Sequence, residues 1–166
     1  MKKLLIALLL IPMFFGCNSN TDDKRGEENV ALITKYVKSV ENLDYVVMAT
    51  VLDDNYIGIG PSYADSTNKP EALKNWRDLV DNLYEKIEYK RSRNIAVTIK
   101  NGPEKGDWVS NWADLHIVYK NGKEVSLFSN TIYMIKDGKI IKSYTIYNEA
   151  DALRQMGYVF INPDNL

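Results

Sequence analysis

The sequence predicts an α+β fold: amphipathic helices packed on one face of a curved antiparallel sheet, with a short helix at the C-terminal end. Three observations carry this. Apolar residues recur at helical spacing through the first half, from Val30 onward. The period then changes from 3.6 to 2 beyond Ile87. The second half is punctuated by Asn121-Gly122 and Asp137-Gly138, two of the strongest short hairpin signals. Helices followed by an antiparallel meander belong to the α+β class, and 166 residues with 45% apolar and 26% charged composition suit one globular domain.

Each element has its own signal. Val30, Ile33, Val37 and Val40 share one face of a first helix. Leu43, Val46, Val47, Thr50 and Val51 continue into a second, short helix after the Asn42–Asp44 break. Asn55 to Ile59 reads as a strand closed by Gly60-Pro61, and Pro61 to Asn68 as a loop. A third helix opens at Asn68, with Pro70 in its first turn and Glu71 completing an Asn-x-x-Glu capping box. Its stripe is Leu73, Trp76, Leu79, Val80, Leu83 and Ile87. Strands are expected at about 88–100, 107–119, 123–136 and 139–147, and a last short helix over 148–156 with Gly157 as its C-cap.

Composition excludes several classes of function. A formal net charge of −1 lacks the basic footprint of a nucleic-acid binder. One Cys and one His leave no disulfide within the chain and no multi-cysteine metal site. Walker, Gly-x-Gly-x-x-Gly, His-Glu-x-x-His and Gly-x-Ser-x-Gly signatures are missing, and the Asp22-Asp23 and Asp53-Asp54 pairs lack calcium-loop spacing. The expectation is a domain with no metal and no nucleotide cofactor.

Lys2 and Lys3 precede an apolar run from Leu4 to Phe15, too short to span a bilayer but of the length of a secretory signal's hydrophobic region. The run ends at Gly16-Cys17, which resembles the lipobox of bacterial lipoproteins. That resemblance implies a signal peptide over 1–16 and lipidation of Cys17, with two or three acyl chains holding the protein permanently on the envelope membrane. Residues 18–29 contain no apolar side chain. A flexible tether is therefore expected over 17–26, a domain over 27–158 and a tail over 159–166.

Two segments, ENLDYVVMATVLDDNYIGIG (41–60) and KNGKEVSLFSNTIYMIKDGKIIKSYTIYNEADALRQMGY (120–158), resemble the SnoaL-like branch of the NTF2-like superfamily over roughly Glu27 to Tyr158. The resemblance implies a cone whose sheet wraps the N-terminal helices around a deep apolar pocket, often in a homodimer joined through the outer sheet face. Enzymes of the superfamily use pocket carboxylates, often with a His or Tyr, to move a proton next to a carbonyl. Here the stretch after the first strand carries no ionisable group, the next acid being Asp65, and the position closing the last strand is Asn148. Two habitual carboxylate positions are thus neutral, which weighs against catalysis.

On the 107–119 strand, alternation puts Trp108, Ser110, Trp112, Asp114, His116 and Val118 on one face. Val109, Asn111, Ala113, Leu115, Ile117 and Tyr119 form the other, more apolar face, expected to look toward the core. Asp114 and His116 are candidates for an acid–base pair if their face turns inward, and for an interface if it does not. Tyr45, Trp76, Trp112, Tyr133, Tyr144 and Asn148 are the candidate ligand contacts, from an aromatic set that also includes Tyr89, Phe128 and Tyr147. Three readings follow: an envelope-anchored domain binding a small apolar ligand, an isomerase-, cyclase- or dehydratase-type enzyme, or a dimeric interaction module.

Overall fold

The computed structural model describes residues 19–165, so Cys17 and the apolar run before it lie outside the described residues. Helix α1 (Ser19–Glu41) presents Ile33, Tyr36, Val37 and Val40 to the sheet, all buried. The helix begins eleven residues before Val30, its first apolar anchor, where the sequence suggests a tether. The reason is contact made by polar groups. Arg25 pairs with Asp107 at 2.9 Å, Gly26 lies against Ala96, and Lys24 faces Glu28 one turn on at 3.9 Å.

Helix α2 (Tyr45–Val51) is capped by Asp44, whose carboxylate accepts from the Val47 amide at 2.9 Å. Strand β1 (Leu52–Ile59) begins before Asn55, the expected start, and takes in Asp53 and Asp54. A short β2 (Ser66–Asn68) then leads into α3 (Lys69–Asn82). The capping box forms as expected: Glu71 N–H donates to Asn68 Oδ1 and Asn68 N–H to the Glu71 carboxylate, both at 3.0 Å. The helix stops at Asn82, and Ile87, expected on its stripe, sits in strand β3 (Tyr84–Ile99). Cross-strand pairing decides the matter. From Tyr84 onward the chain pairs along β4, with Tyr84 opposite Tyr119 and Ile87 opposite Ile117.

Strands β4 (Gly106–Tyr119), β5 (Glu124–Lys136) and β6 (Lys139–Tyr147) form the expected meander. Asp137 (φ 51°) and Gly138 (φ 71°) both take left-handed backbone, as a two-residue β5–β6 hairpin requires. The sheet order is β2-β1-β6-β5-β4-β3. It is mixed and not purely antiparallel, because β1 runs parallel to β6, with Ile57 opposite Lys142. A bulge between Lys90 and Arg93, where Arg91 has φ 51°, bends β3 around the helices. Helix α4 (Glu149–Gln155) closes the chain's last turn, followed by a single 3-10 turn (Pro163–Asn165).

The core lies between α1, α2 and the concave sheet face. Ile33, Val40, Met48, Val109, Val125 and Ile140 are fully buried there. Helix α3, by contrast, buries none of its residues completely. It stands over the open end of the curved sheet as a wall, and so leaves a hollow behind it.

Candidate functional site

The hollow has a volume of about 450 Å³. Its walls come from every layer: Tyr36 and Val40 of α1, Ala72, Trp76 and Leu79 of α3, Ile117 and Tyr119 of β4, Leu127 and Tyr133 of β5, and Leu153 of α4. The volume falls within the range of small-molecule sites. Seven of the eleven tyrosines of the chain line it: Tyr36, Tyr56, Tyr84, Tyr89, Tyr119, Tyr133 and Tyr147. Hydroxyls of Thr67, Ser129, Thr131, Ser143 and Thr145 and the Asn75 amide add further polar tips to an otherwise apolar wall.

Local sequence explains how this wall is built. On β1 the residues facing inward are Tyr56 and Gly58, while Ile57 turns outward and is 45% exposed. A Cβ on Gly58 would lie 2.6 Å from the Tyr56 hydroxyl, so glycine leaves the room that the phenol occupies. That hydroxyl is fixed by Ser143 Oγ at 2.7 Å. Tyr36 meets Tyr133 edge-on with ring centres 5.5 Å apart, and Tyr84 bridges Trp76 and Tyr119 at 6.2 and 5.7 Å.

The electrostatics are those of neutral groups. Burial pushes the Tyr36 and Tyr133 phenols well above their ordinary value of 10.0 and Tyr89 up to about 12. Burial likewise raises Tyr56, Tyr84, Tyr119 and Tyr147. All seven therefore remain protonated through the physiological range and act as hydrogen-bond donors and acceptors, not as bases. Glu149, the first residue of α4, is the one carboxylate among the lining residues, and no Lys, Arg or His stands among them.

Of the candidates named from sequence, Trp76 and Tyr133 line the hollow. The other four candidate ligand contacts do not. Tyr45 packs against the core with the Arg77 guanidinium 5.1 Å from its ring centre. Trp112 is 37% exposed on the convex sheet face. Tyr144 stacks on Trp108 at 6.1 Å on that same convex face, its hydroxyl donating to Glu104. Asn148 caps α4, accepting from the Asp151 amide at 3.0 Å.

The acid–base candidates are also placed elsewhere. Val109, Ala113, Ile117 and Tyr119 are buried on the concave face of β4, as their apolar character predicts, and the polar Asn111 is buried with them. Alternation then puts Asp114 and His116 on the convex face. Asp114 is held by Arg91 of the bulge. His116 meets Ser126 Oγ at 2.9 Å and the Glu124 carboxylate at 3.6 Å. Asp65 is exposed in the turn before β2, where its carbonyl accepts from the Gly60 amide at 3.0 Å. None of these three lines the hollow. Among the described residues no group of three His, Cys, Asp or Glu side chains comes together as a metal site.

Sequence reasoning missed Tyr36, Tyr56, Tyr84 and Tyr119 as cavity residues. Tyr36 follows Ile33 by three and precedes Val40 by four, so the helical stripe contained it. Tyr56 was hidden because its neighbour Ile57 is the more apolar residue, yet Ile57 faces outward.

No family model and no curated protein matches the sequence. Solved structures do match. A Xanthomonas campestris protein assigned as a polyketide cyclase superposes with a TM-score of 0.66 at 14% identity, covering 79% of this chain and 98% of its own. An NTF2-like protein from Burkholderia xenovorans gives 0.60 at 12% identity, covering 78% and 96%. A Shewanella denitrificans protein assigned as a SnoaL-like polyketide cyclase gives 0.59 at 9% identity, covering 78% and 96%. At these identities the likeness extends to the fold alone. This chain is built on the NTF2-like fold.

Proposed function

We propose that this protein is an envelope lipoprotein, anchored by acyl chains on Cys17, whose NTF2-like cavity binds a small and mostly apolar molecule. The observation that carries the binding reading is the composition of the cavity wall. Aromatic rings and neutral hydroxyls surround about 450 Å³, and a single carboxylate stands among them. Such a wall excludes water from an apolar body and offers hydrogen bonds to a few polar atoms, as small-molecule sites do. An enzyme acting next to a carbonyl needs a base within reach of the abstracted proton. Asp114 and His116 are on the wrong side of the sheet for that task.

The anchoring reading is supported by the Lys2-Lys3 start, the apolar run and the single Cys directly after Gly16. One experiment addresses both halves. Wild-type protein expressed with its leader is expected in the membrane fraction, and Cys17→Ala in the soluble fraction. Native mass spectra of both should show the same small-molecule mass excess. Membrane retention of Cys17→Ala would overturn the lipid anchor, and bare polypeptide mass in both samples would count against the pocket.

A further inference from the structure

The cavity wall is asymmetric in charge as well as in shape. Trp76, Tyr84 and Tyr119 form a continuous aromatic surface, the ring planes of successive pairs inclined at 55° and 51°. Neither pair is stacked face to face, and all three residues line the hollow. Tyr147, at the end of β6, continues this wall, and two residues later Glu149 adds the only lining carboxylate. The Glu149 carboxylate is held at the rim, 3.4 Å from the Ser62 hydroxyl of the loop between β1 and β2. The Glu149 carboxylate thus puts a negative charge at this end of the aromatic wall, and no positive side chain lines the cavity to balance it.

We propose that the cavity selects an organic ammonium cation with apolar substituents, its charged nitrogen held over the Trp76, Tyr84 and Tyr119 rings and steered by Glu149. The proposal rests on the binding reading above and deepens it by giving the ligand's charge. Ring faces carry the negative lobe of the aromatic quadrupole, and several rings converging on one desolvated cation add their attractions. An anionic ligand meets the opposite conditions. It would have to lose its hydration among neutral phenols and meet the Glu149 carboxylate, with no Lys or Arg among the lining residues to receive it. A neutral ligand would fit the volume and the apolar wall but gain no charge attraction from the rings or from Glu149.

Calorimetric titration of the full-length protein in nonionic detergent tests this with three probes of nearly one shape. These are choline, its neutral isostere with carbon in place of the quaternary nitrogen, and the corresponding carboxylate in which a carboxyl replaces the alcohol end. An apolar fluorescent dye serves as the reference for the cavity itself. Choline is expected to bind at least about tenfold more tightly than the neutral isostere, with no saturation by the carboxylate. Glu149→Gln should weaken choline by about fivefold and leave the isostere unchanged. Tyr84→Leu should weaken choline, and Tyr84→Phe, which keeps the ring, should restore it. Equal binding of choline and isostere, or preference for the carboxylate, overturns the ammonium proposal and leaves the pocket reading standing. Dye binding without choline binding does the same. Absence of binding by choline, isostere and dye together overturns both.

Discussion

Replacing Gly60 with Ala will cost the domain about 3 kcal/mol, through strain at a left-handed position and a collision with backbone. Gly60 has φ +94°, a conformation that side-chain-bearing residues rarely take, and a Cβ built there would lie 2.3 Å from the carbonyl oxygen of Thr145. That oxygen belongs to β6, which is hydrogen-bonded into the sheet, so it cannot swing aside as a lysine tip would. Both Gly60 and Thr145 also line the cavity, so the shift needed to relieve the contact deforms the site. The control is Gly102→Ala. Gly102 has a nearly identical φ of +92° but open space around it, and this change should cost only about 1 kcal/mol, from backbone strain alone. Denaturant midpoints for the two variants separate strain from collision. Equal losses would mean that the Gly60–Thr145 approach is not as close as described.

Ile33→Ala will lower stability by about 3–4 kcal/mol, by removing apolar contact and leaving a void. Ile33 is wholly inaccessible on α1 and packs into the core cluster that α1 shares with the concave sheet face. The neighbouring cavity does not rescue the loss, because the site is walled by backbone-anchored residues that cannot collapse inward together. For a domain of this size the change corresponds to roughly a 10 °C fall in melting temperature. Val46→Ala, at a position 64% exposed on α2, should stay within about 0.5 kcal/mol of the parent. A loss at Ile33 no larger than at Val46 would place α1 outside the core.

The elements that could be read from sequence are those whose signals are local. Asn68 and Glu71 specify the start of α3 by hydrogen bonds within one turn, and Asp137-Gly138 specifies a hairpin through its own backbone preference. The inward face of β4 follows from alternation within the strand itself. What sequence could not supply are the features set by distant partners. The helix start at Ser19 depends on Arg25 meeting Asp107, and the parallel β1–β6 pairing on strands more than eighty residues apart. Ile87 continues a helical spacing, yet pairing with Ile117 draws it into a strand. The cavity suffers most from this. Tyrosines from α1, β1, β3, β4, β5 and β6 converge on it, and none of those segments marks the convergence. Tyr144 and Tyr133 look alike in sequence, but the pleat of the sheet sends one to the convex face and the other into the hollow.

Whether the hollow is open space available to a ligand is tested most directly by filling it. Ala72 lines the cavity from α3, a helix with no fully buried residue. Ala72→Phe should therefore place a ring in the empty volume, leaving stability within about 1 kcal/mol of the parent while weakening an apolar dye at least about tenfold. A loss of about 3 kcal/mol or more would instead show an overpacked solid interior, and unchanged dye binding would put the ligand elsewhere on the molecule.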